Sequence, residues 1–361
     1  MMNVVLSCAP REKLGLYLSL GGACITLGPA FGPVISGLMC TLFGWRAVFV
    51  VPLVGGIVVA AAGVKLVQNV GERSNATLDI LSVVLLAAGI TAFVYSVGEF
   101  STNLIAGIVT LFAAVVLLGL FAVRQLKLEH PVLNVRPMAS VRFWPACLLV
   151  VVSMMTTFSM SVLLPLYFEG AYGMTALVAG LLILPAIACN AVTSIVGGRV
   201  MDARGAWPLL PVGFALIAVG QTAISMTAAS MNIGVVVALT VVVYAGVGLV
   251  LSPSQTAGLE TLPAAEHPHG TALLNTWNMI AASFGPSLFI GLLSSSAVAA
   301  GAAGVASDVA QAIGFAAAVR VAAVIAVVGF AVSLVYARRE SHMYALMCAH
   351  RFCSLDWMAT P

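Results

Sequence analysis

The stretch Leu27–Gly37, LGPAFGPVISG, lies inside an apolar run that extends over Leu14–Leu42. A run of this length can cross the hydrocarbon of a bilayer as one helix. The two prolines of the stretch each remove a backbone donor and bend a helix. Gly28 and Gly32 are four residues apart, and glycines at that spacing let a neighbouring helix approach closely. The stretch therefore predicts a kinked membrane helix with a packing face.

The composition of the whole chain is that of a membrane protein. Of its 361 residues, 61% are apolar and 7% are charged, whereas a soluble domain is about half apolar and about a quarter charged. The mean hydropathy of +1.12 is too high for a surface that faces water. These values exclude a cytoplasmic enzyme, a secreted disulfide scaffold and a nucleic-acid-binding protein. The net charge of +3 gives no reason to expect an anionic polymer as partner.

Ten segments are apolar over about 20 residues, the length that a helix needs to span a bilayer. None of them alternates apolar and polar residues with a period of two, which excludes a transmembrane β-barrel. The sequence thus predicts an all-α integral membrane protein with about ten transmembrane helices. The predicted spans are Leu14–Leu42, Ala47–Val67, Leu78–Gly98, Leu104–Val123, Phe143–Phe168, Ala176–Val196, Pro208–Ala229, Ile233–Ala257, Thr271–Val298 and Ala312–Ala337.

The loops between these spans carry an asymmetric distribution of basic residues. If the N-terminus and every second loop face the cytoplasm, all Lys and Arg residues except Arg46 and Arg320 lie on that side. Arg320 is expected at the outer boundary of the last helix, with a side chain that snorkels to the interface. The positive-inside rule therefore predicts a multi-pass protein of the inner (plasma) membrane with both termini in the cytoplasm.

The twelve Asp and Glu residues all fall in predicted loops or at predicted helix ends. A carboxylate in the middle of the bilayer is costly and is therefore usually functional, and the sequence predicts none there. Glu169, which follows Tyr167 and Phe168 at the outer end of its helix, is the nearest candidate for coupling transport to protons. The alternative for Glu169 is an interfacial charge beside an aromatic belt.

Seven residues within the spans are candidates for contact with a substrate. Methionine is adaptable and suits apolar ligands of varied shape, and a polar side chain in a bilayer must find a partner in protein or water. Packing between helices is the alternative for each of them. The candidates are Met154, Phe158, Asn190, Gln221, Tyr244, Asn275 and Asn278.

The opening stretch also resembles a known motif. It is similar to the antiporter motif in the fifth helix of the major facilitator superfamily, Gly-Pro-x-x-Gly-Pro-x-x-Gly-Gly followed by Gly-Trp-Arg. Ser36 stands here in place of the first of the last two glycines, and Gly44-Trp45-Arg46 follows. The branch that the chain resembles is that of the fourteen-helix drug/proton antiporters. The motif residues are Gly28, Pro29, Gly32, Pro33 and Gly37.

Further segments resemble the same branch in the same order. Residues 129–133, EHPVL, resemble the linker before its ninth helix. Residues 163–167, LLPLY, and 180–185, GLLILP, resemble its ninth and tenth helices. The positions that fall where the family has its twelfth and thirteenth helices are Gly246, Gly248, Pro253, Gly285 and Pro286.

Residues 198–205, GRVMDARG, resemble the family's loop Gly-x-x-x-Asp-Arg-x-Gly. In that family the loop gates the cytoplasmic ends of two helices through charge pairing. Ala203 replaces the arginine that normally follows the aspartate, so the gate is expected to be weaker and to depend on another arginine. The cytoplasmic gating residues that the resemblance implies are Gly198, Arg199, Asp202, Arg204 and Gly205.

The resemblance implies a major-facilitator-type fold without counterparts of the first four helices. Residues 1–68 would be a two-helix remnant of the N-terminal bundle, residues 69–128 two linker helices, and residues 129–339 a six-helix C-terminal bundle. Residues 340–361 would be a cytoplasmic tail, expected to be disordered. The histidines and cysteines of this tail fit a zinc site poorly because of their spacing, and an interfacial amphipathic helix is the remaining alternative.

By resemblance, the expected activity is proton-coupled efflux of amphipathic drugs or other small molecules. The expected partners are the lipid bilayer, a small amphipathic substrate and protons, with no cofactor, metal or nucleic acid. Two alternatives stay open: a truncated fragment that cannot transport, and a membrane subunit or scaffold that needs a partner chain to supply the missing helices. A membrane enzyme is disfavoured, because no cluster of His, Asp and Glu occurs at a helix end with catalytic spacing.

Overall fold

A computed structural model gives the fold of this chain. It describes residues 32, 34–66, 79–99, 103–128, 131, 133–263 and 266–356, and within these residues it contains helices and their connections but no strand. The helices are α1 (Val34–Phe43), α2 (Val50–Leu66), α3 (Ile80–Glu99), α4 (Leu104–Lys127), α5 (Phe143–Tyr172), α6 (Ala176–Arg204), α7 (Leu209–Thr227), α8 (Ile233–Glu260), α9 (His267–Ala302) and α10 (Ser307–Asp356).

The membrane spans predicted from the sequence are confirmed wherever the structure describes them. Nine helices among the described residues are long and apolar enough to cross a bilayer, and they coincide with nine of the predicted spans. The remaining predicted span, Leu14–Leu42, lies mostly outside the described residues, and α1 is its described end. Together these helices give the all-α membrane fold that the composition predicts.

Polar caps mark several helix starts at the predicted residues, whereas most helices extend a few residues beyond the predicted spans at their C-terminal ends. Asn103 caps α4 by accepting hydrogen bonds from the amides of the first turn, at 3.2 Å. Thr175 and Asn232 cap α6 and α8 in the same way. Gly173 ends α5 with a backbone φ of 63°, a left-handed conformation that glycine adopts without strain.

Helices α5 to α10 form one bundle around a shared apolar core. Helix α8 packs closely against both α6 and α7 because glycines line the contacts. A Cβ atom at Gly246 would lie 2.6 Å from the carbonyl oxygen of Gly213 on α7, and one at Gly248 would lie 2.6 Å from that of Asn190 on α6. Glycine therefore sets the distance between these helices.

Helices α3 and α4 form a hairpin that packs on α5 and α9 through an apolar cluster around Phe121 and Phe143, and through two further contacts. The ring of Phe93 on α3 stacks on that of Phe284 on α9, with centroids 5.3 Å apart. At the other end, Gln125 on α4 accepts a hydrogen bond from the amide of Leu133, in the connection to α5, at 3.1 Å. The hairpin that the resemblance names as linker helices is therefore in contact with the C-terminal bundle.

Helices α1 and α2 are the most exposed part of the described chain. No residue in the apolar window of α2 is buried. Helix α1 contacts the start of α6 through Gly37, where a Cβ atom would lie 2.5 Å from the carbonyl oxygen of Ala176. These two helices belong to the predicted N-terminal remnant, and their apolar surfaces face outward.

The last helix differs from the sequence-based expectation at both ends. It begins at Ser307, ahead of the predicted start at Ala312, and Arg320 lies inside it. At the other end, the tail that was expected to be disordered continues α10 as helical backbone to Asp356. No glycine or proline occurs between Phe330 and Asp356, so nothing in the local sequence breaks the helix. The side chains from Arg339 onward, including those of the tail cysteines and histidines, lie outside what the structure describes.

Candidate functional site

A chain of hydrogen bonds joins three helices of the bundle and includes two of the predicted cavity residues. The amide nitrogen Nδ2 of Asn190 on α6 donates to the backbone carbonyl of Tyr244 on α8, at 3.0 Å. The hydroxyl of Tyr244 is 3.1 Å from that of Ser161 on α5, and Ser161 also donates to the carbonyl of Thr157, at 2.9 Å. Asn190 and Tyr244 are both buried, so their polar groups bond to neighbouring helices.

Two other predicted cavity residues are buried and have side-chain amide atoms without a hydrogen-bond partner among the described residues. Gln221 on α7 is fully buried, and neither amide atom has a hydrogen-bond partner among the described residues. Asn278 on α9 is also buried, and its oxygen Oδ1 lacks a partner within the same part of the chain. An unsatisfied polar group in an apolar interior costs about 1–3 kcal/mol. These two amides therefore hold unused bonding capacity inside the bundle.

Asn275 is placed differently from the other predicted amides, because it is exposed on α9. Met279 and Ser283 are exposed as well and follow at intervals of four residues. Residues four apart lie on one face of a helix, and we call this face of Asn275, Met279 and Ser283 the α9 stripe. The opposite face of α9 packs on α5, where a Cβ atom at Gly285 would lie 2.7 Å from the hydroxyl oxygen of Ser159.

Sequence reasoning named Asn275 but missed Met279 and Ser283. The sequence feature that could have identified them is their spacing of four residues from Asn275, which places all three on one face of a helix. The two candidates on α5 lie elsewhere: Met154 is buried in the apolar core, and Phe158 is half-buried against it. The structure therefore does not bring the seven predicted cavity residues together at one site.

The predicted gating segment lies on the last turns of α6, and not in a loop. Helix α6 continues to Arg204 and ends where Gly205 adopts a φ of 74°. Gly198 is half-buried and Arg199 is exposed on this part of the helix. The side chains of Asp202 and Arg204 lie outside what the structure describes. The charge pairing that the resemblance implies for this segment stays a prediction.

The antiporter motif is described only in part. Gly28, Pro29 and Pro33 lie outside the described residues. At Gly32 a Cβ atom would have no neighbour within 4 Å, whereas Gly37 makes the close contact with the start of α6. Among the motif residues that the structure describes, Gly37 is thus the one that another helix approaches.

Glu169, the predicted proton-coupling residue, is exposed in the last turn of α5. Its backbone carbonyl accepts a hydrogen bond from the amide of Gly173, at 3.0 Å, as part of the helix end. The next residue, Gly170, lies against the side chain of Gln311 on α10. The Glu169 carboxylate is therefore at a bundle end and outside the apolar core.

Comparison with known proteins places these helices in a family. The chain matches the Major Facilitator Superfamily over residues 1–79 and 77–286. It belongs to the major facilitator superfamily. The match includes α1 to α8 and the first half of α9, with the α9 stripe. The family predicted from the motifs is confirmed.

Three relatives show how much of a superfamily member the chain represents. It is 31% identical to the lincomycin resistance protein LmrB of Listeria monocytogenes over 297 residues, 81% of this chain and 63% of that protein. It is 32% identical to the MFS-type transporter YcnB of Bacillus subtilis over 92% of this chain and 71% of YcnB. It is 25% identical to a multidrug resistance protein B homolog of Mycobacterium tuberculosis over 79% of this chain and 54% of that protein. The chain thus spans less than two thirds of the length of LmrB.

Proposed function

We propose that this superfamily member takes part in the export of small amphipathic molecules across the membrane. The observation that carries the proposal is the α9 stripe, in which Asn275, Met279 and Ser283 are exposed on the middle of a membrane helix. Polar side chains in this position face protein or a water-filled cavity in preference to lipid. A cavity face with an adaptable methionine between two polar residues suits ligands that are partly apolar and partly polar.

The relatives support the same class of substrate. LmrB is named for resistance to lincomycin, and the mycobacterial relative is named for multidrug resistance. The side-chain amide of Asn190 donates to the backbone carbonyl of Tyr244, and the Tyr244 hydroxyl bonds to Ser161. Because these groups bond between helices, we assign substrate contact first to the α9 stripe. The second group of candidates for substrate contact is buried or half-buried within the bundle and consists of Gln221, Asn278, Met154 and Phe158.

We propose coupling to protons, with Glu169 as the first residue to test. Glu169 is exposed at the end of α5 that the positive-inside rule places outside, where it could exchange protons with water. The same orientation places both termini in the cytoplasm and puts the gating residues Arg199, Asp202 and Arg204 at the inner end of α6. The antiporter-motif residues would belong to the helix that faces this bundle across the transport path.

A membrane subunit that needs further helices is the second candidate. The observation that favours it is the absence of buried residues in the apolar window of α2, which leaves this helix free to pack against other helices. Such helices could belong to a longer form of the same protein or to a partner chain. Co-purification of a second membrane chain would support this candidate, whereas a monodisperse single chain that transports would contradict it.

Accumulation of a fluorescent lipophilic cation in an efflux-deficient bacterial host tests the proposal. Cells with the 361-residue chain in the membrane should accumulate less dye than cells without it, and a protonophore should abolish the difference. Asn275→Ala and Ser283→Ala should weaken this efflux, whereas the matched control Val219→Ala, on an exposed position of α7, should not. Unchanged dye accumulation with the chain inserted in the membrane would contradict export by this chain alone.

A further inference from the structure

Arg320 is a charged residue on the membrane-facing surface of α10 that the proposed transport path does not use. It is exposed, and it makes no ion pair or hydrogen bond with any residue that the structure describes. The chain follows it with seventeen uncharged residues, Val321–Ala337, before the next arginine. A lone cation beside such a run needs a partner or a route to water.

The exposure of α10 changes abruptly at Arg320. No residue from Val309 to Val319 is exposed, because this part of the helix is enclosed by its neighbours. Phe315 stacks on Tyr167 of α5, with ring centroids 4.3 Å apart, and Gly314 lies against α9. Arg320 is therefore the first exposed residue of α10 after Asp308.

Beyond Arg320 the exposed side of α10 is a row of valines. Val321, Val324, Val328 and Val335 are between 37% and 62% exposed and recur at helical spacing. We call this surface the valine stripe. Between Arg320 and Arg338 the helix rises by about 27 Å, close to the hydrocarbon thickness of a bilayer. The valine stripe thus has the length and the composition of a surface that faces lipid.

Contacts of α10 with α7 and with α5 give the position of Arg320 along the bundle independently. A Cβ atom at Gly329 would lie 3.0 Å from the ring of Phe214 on α7. The hydroxyl of Tyr167, which stacks on Phe315, donates to the carbonyl of Ala228 at 2.9 Å. Gly329 thus lies opposite Phe214, and Phe315 lies at the level of Ala228 through Tyr167. The two levels fit one antiparallel register, since the same number of residues separates Phe214 from Ala228 and Phe315 from Gly329.

In this register Arg320 lies one and a half turns inward from the turn that ends α7. The distance along the axis from the level of Phe315 to that of Arg320 is about 7.5 Å. Helical side chains tilt towards the N-terminus of their helix, which for α10 is the end where α7 meets α8. An arginine with this tilt extends along the apolar surface and places its guanidinium near the headgroups.

We propose that Arg320 binds the phosphate of an anionic phospholipid in the leaflet at the α7–α8 end of the bundle. The guanidinium supplies a planar set of donors that fits phosphate oxygens, and the valine stripe below it contacts the acyl chains of the same lipid. Charge and shape both favour a phospholipid, because a cation lies at one end of an apolar surface that is as long as the hydrocarbon layer is thick. Bound lipid at this site would hold α10 at a fixed height in the membrane.

Native mass spectrometry of the purified full chain, with dioleoylphosphatidylglycerol added stepwise, tests the proposal. The unmodified chain should bind one lipid more tightly than it binds dioleoylglycerol, which has the same chains without a phosphate. Arg320→Gln should weaken binding of phosphatidylglycerol about fivefold, the change that loss of one basic contact near the surface causes. Arg320→Lys keeps the charge and should retain most of the binding.

Two controls separate a site from general charge attraction. Arg136→Gln removes the same charge from an exposed connection outside the valine stripe and should leave the affinity for the lipid unchanged. Inorganic phosphate should not compete at millimolar concentration, because it lacks the acyl chains. Equal affinity of Arg320→Gln and the unmodified chain would overturn the proposal. So would an equal loss in Arg136→Gln, competition by free phosphate, or a mass of the complex that contains a second protein chain in place of the lipid.

Discussion

At the residue scale, polar side chains of the same type take different roles because of the helix faces that carry them. Asn275 and Asn278 are three residues apart on α9, yet Asn275 is exposed and Asn278 is buried against the bundle. Asn190 bonds to the backbone of a neighbouring helix, whereas Gln221 bonds to no described residue. The residue type predicts the need for a partner, but the packing decides which partner is available.

Gln221 offers a test at this scale. Replacement by methionine keeps the length of the side chain and removes two buried polar atoms that have no partner among the described residues. The Gln221→Met variant should be more stable by about 1 kcal/mol, since no desolvated amide is left unpaired. Thermal unfolding in detergent measures the change. A lower unfolding temperature than that of the unmodified chain would mean that the amide makes a bond the protein needs.

At the element scale, a polar clamp joins the two helices of the hairpin α3–α4. Asp79, just before α3, forms a two-point ion pair with Arg124 on α4, with N–O distances of 2.7 and 3.0 Å. Ser82 donates to the same carboxylate at 2.6 Å and accepts a hydrogen bond from Gln125 at 2.6 Å. Gln125 in turn accepts a hydrogen bond from the backbone amide of Leu133. The clamp thus extends from the hairpin to the start of the bundle.

The clamp should make the hairpin sensitive to acid. Hydrogen bonds from Arg124 and Ser82 lower the pKa of Asp79 to about 2, from 3.8. Because the folded state favours the charged carboxylate, the clamp stabilises the fold fully above pH 3.8 and loses this effect as the pH falls towards 2. Between pH 6 and pH 2.5 the unfolding temperature of the unmodified chain should fall, and part of this fall should be absent in Asp79→Asn. A parallel decline in both proteins would show that Asp79 is not its source.

A further attachment of the hairpin is the stack of Phe93 on Phe284. A double-mutant cycle with Phe93→Ala and Phe284→Ala should give a coupling of about 0.5–1.5 kcal/mol, the range measured for aromatic pairs. Unfolding temperatures of the four proteins supply this value. The matched control is a second cycle with Leu85→Ala in place of Phe93→Ala, because Leu85 is on α3 but is not part of the stack. Strictly additive losses for the phenylalanine pair would show that the hairpin is not held to α9 there.

At the scale of the whole molecule, the sequence predicted more of the fold than of the site. Nine spans follow from apolar length alone, and the family follows from glycines and prolines at fixed spacing in the first helix. The predicted starts of α4 and α8 match the structure, where Asn103 and Asn232 cap them, whereas their predicted ends fall short of Lys127 and Glu260. Arg320 was expected near the outer end of the last helix, but the sequence did not show that the helix begins at Ser307 and is enclosed by its neighbours from Val309 to Val319.

The site could not be predicted to the same extent because it depends on which helix faces stay uncovered. The sequence shows seven candidates in five helices but gives no direction for their side chains. Only the packing of α9 on α5 turns Asn278 inward and leaves the α9 stripe outside. Met279 and Ser283 thus became candidates through their position beside Asn275.

The central claim is that the α9 stripe faces a water-filled path while the valine stripe of α10 faces lipid. In a background without native cysteines, Asn275→Cys, Met279→Cys and Ser283→Cys are made singly, with Val324→Cys and Val328→Cys as lipid-facing controls. Labelling by a charged, membrane-impermeant maleimide in permeabilised membranes measures access to water. The α9 cysteines should react readily, and the α10 cysteines should not. Equal protection of both sets would place the α9 stripe in lipid or in protein and contradict the transport path proposed here.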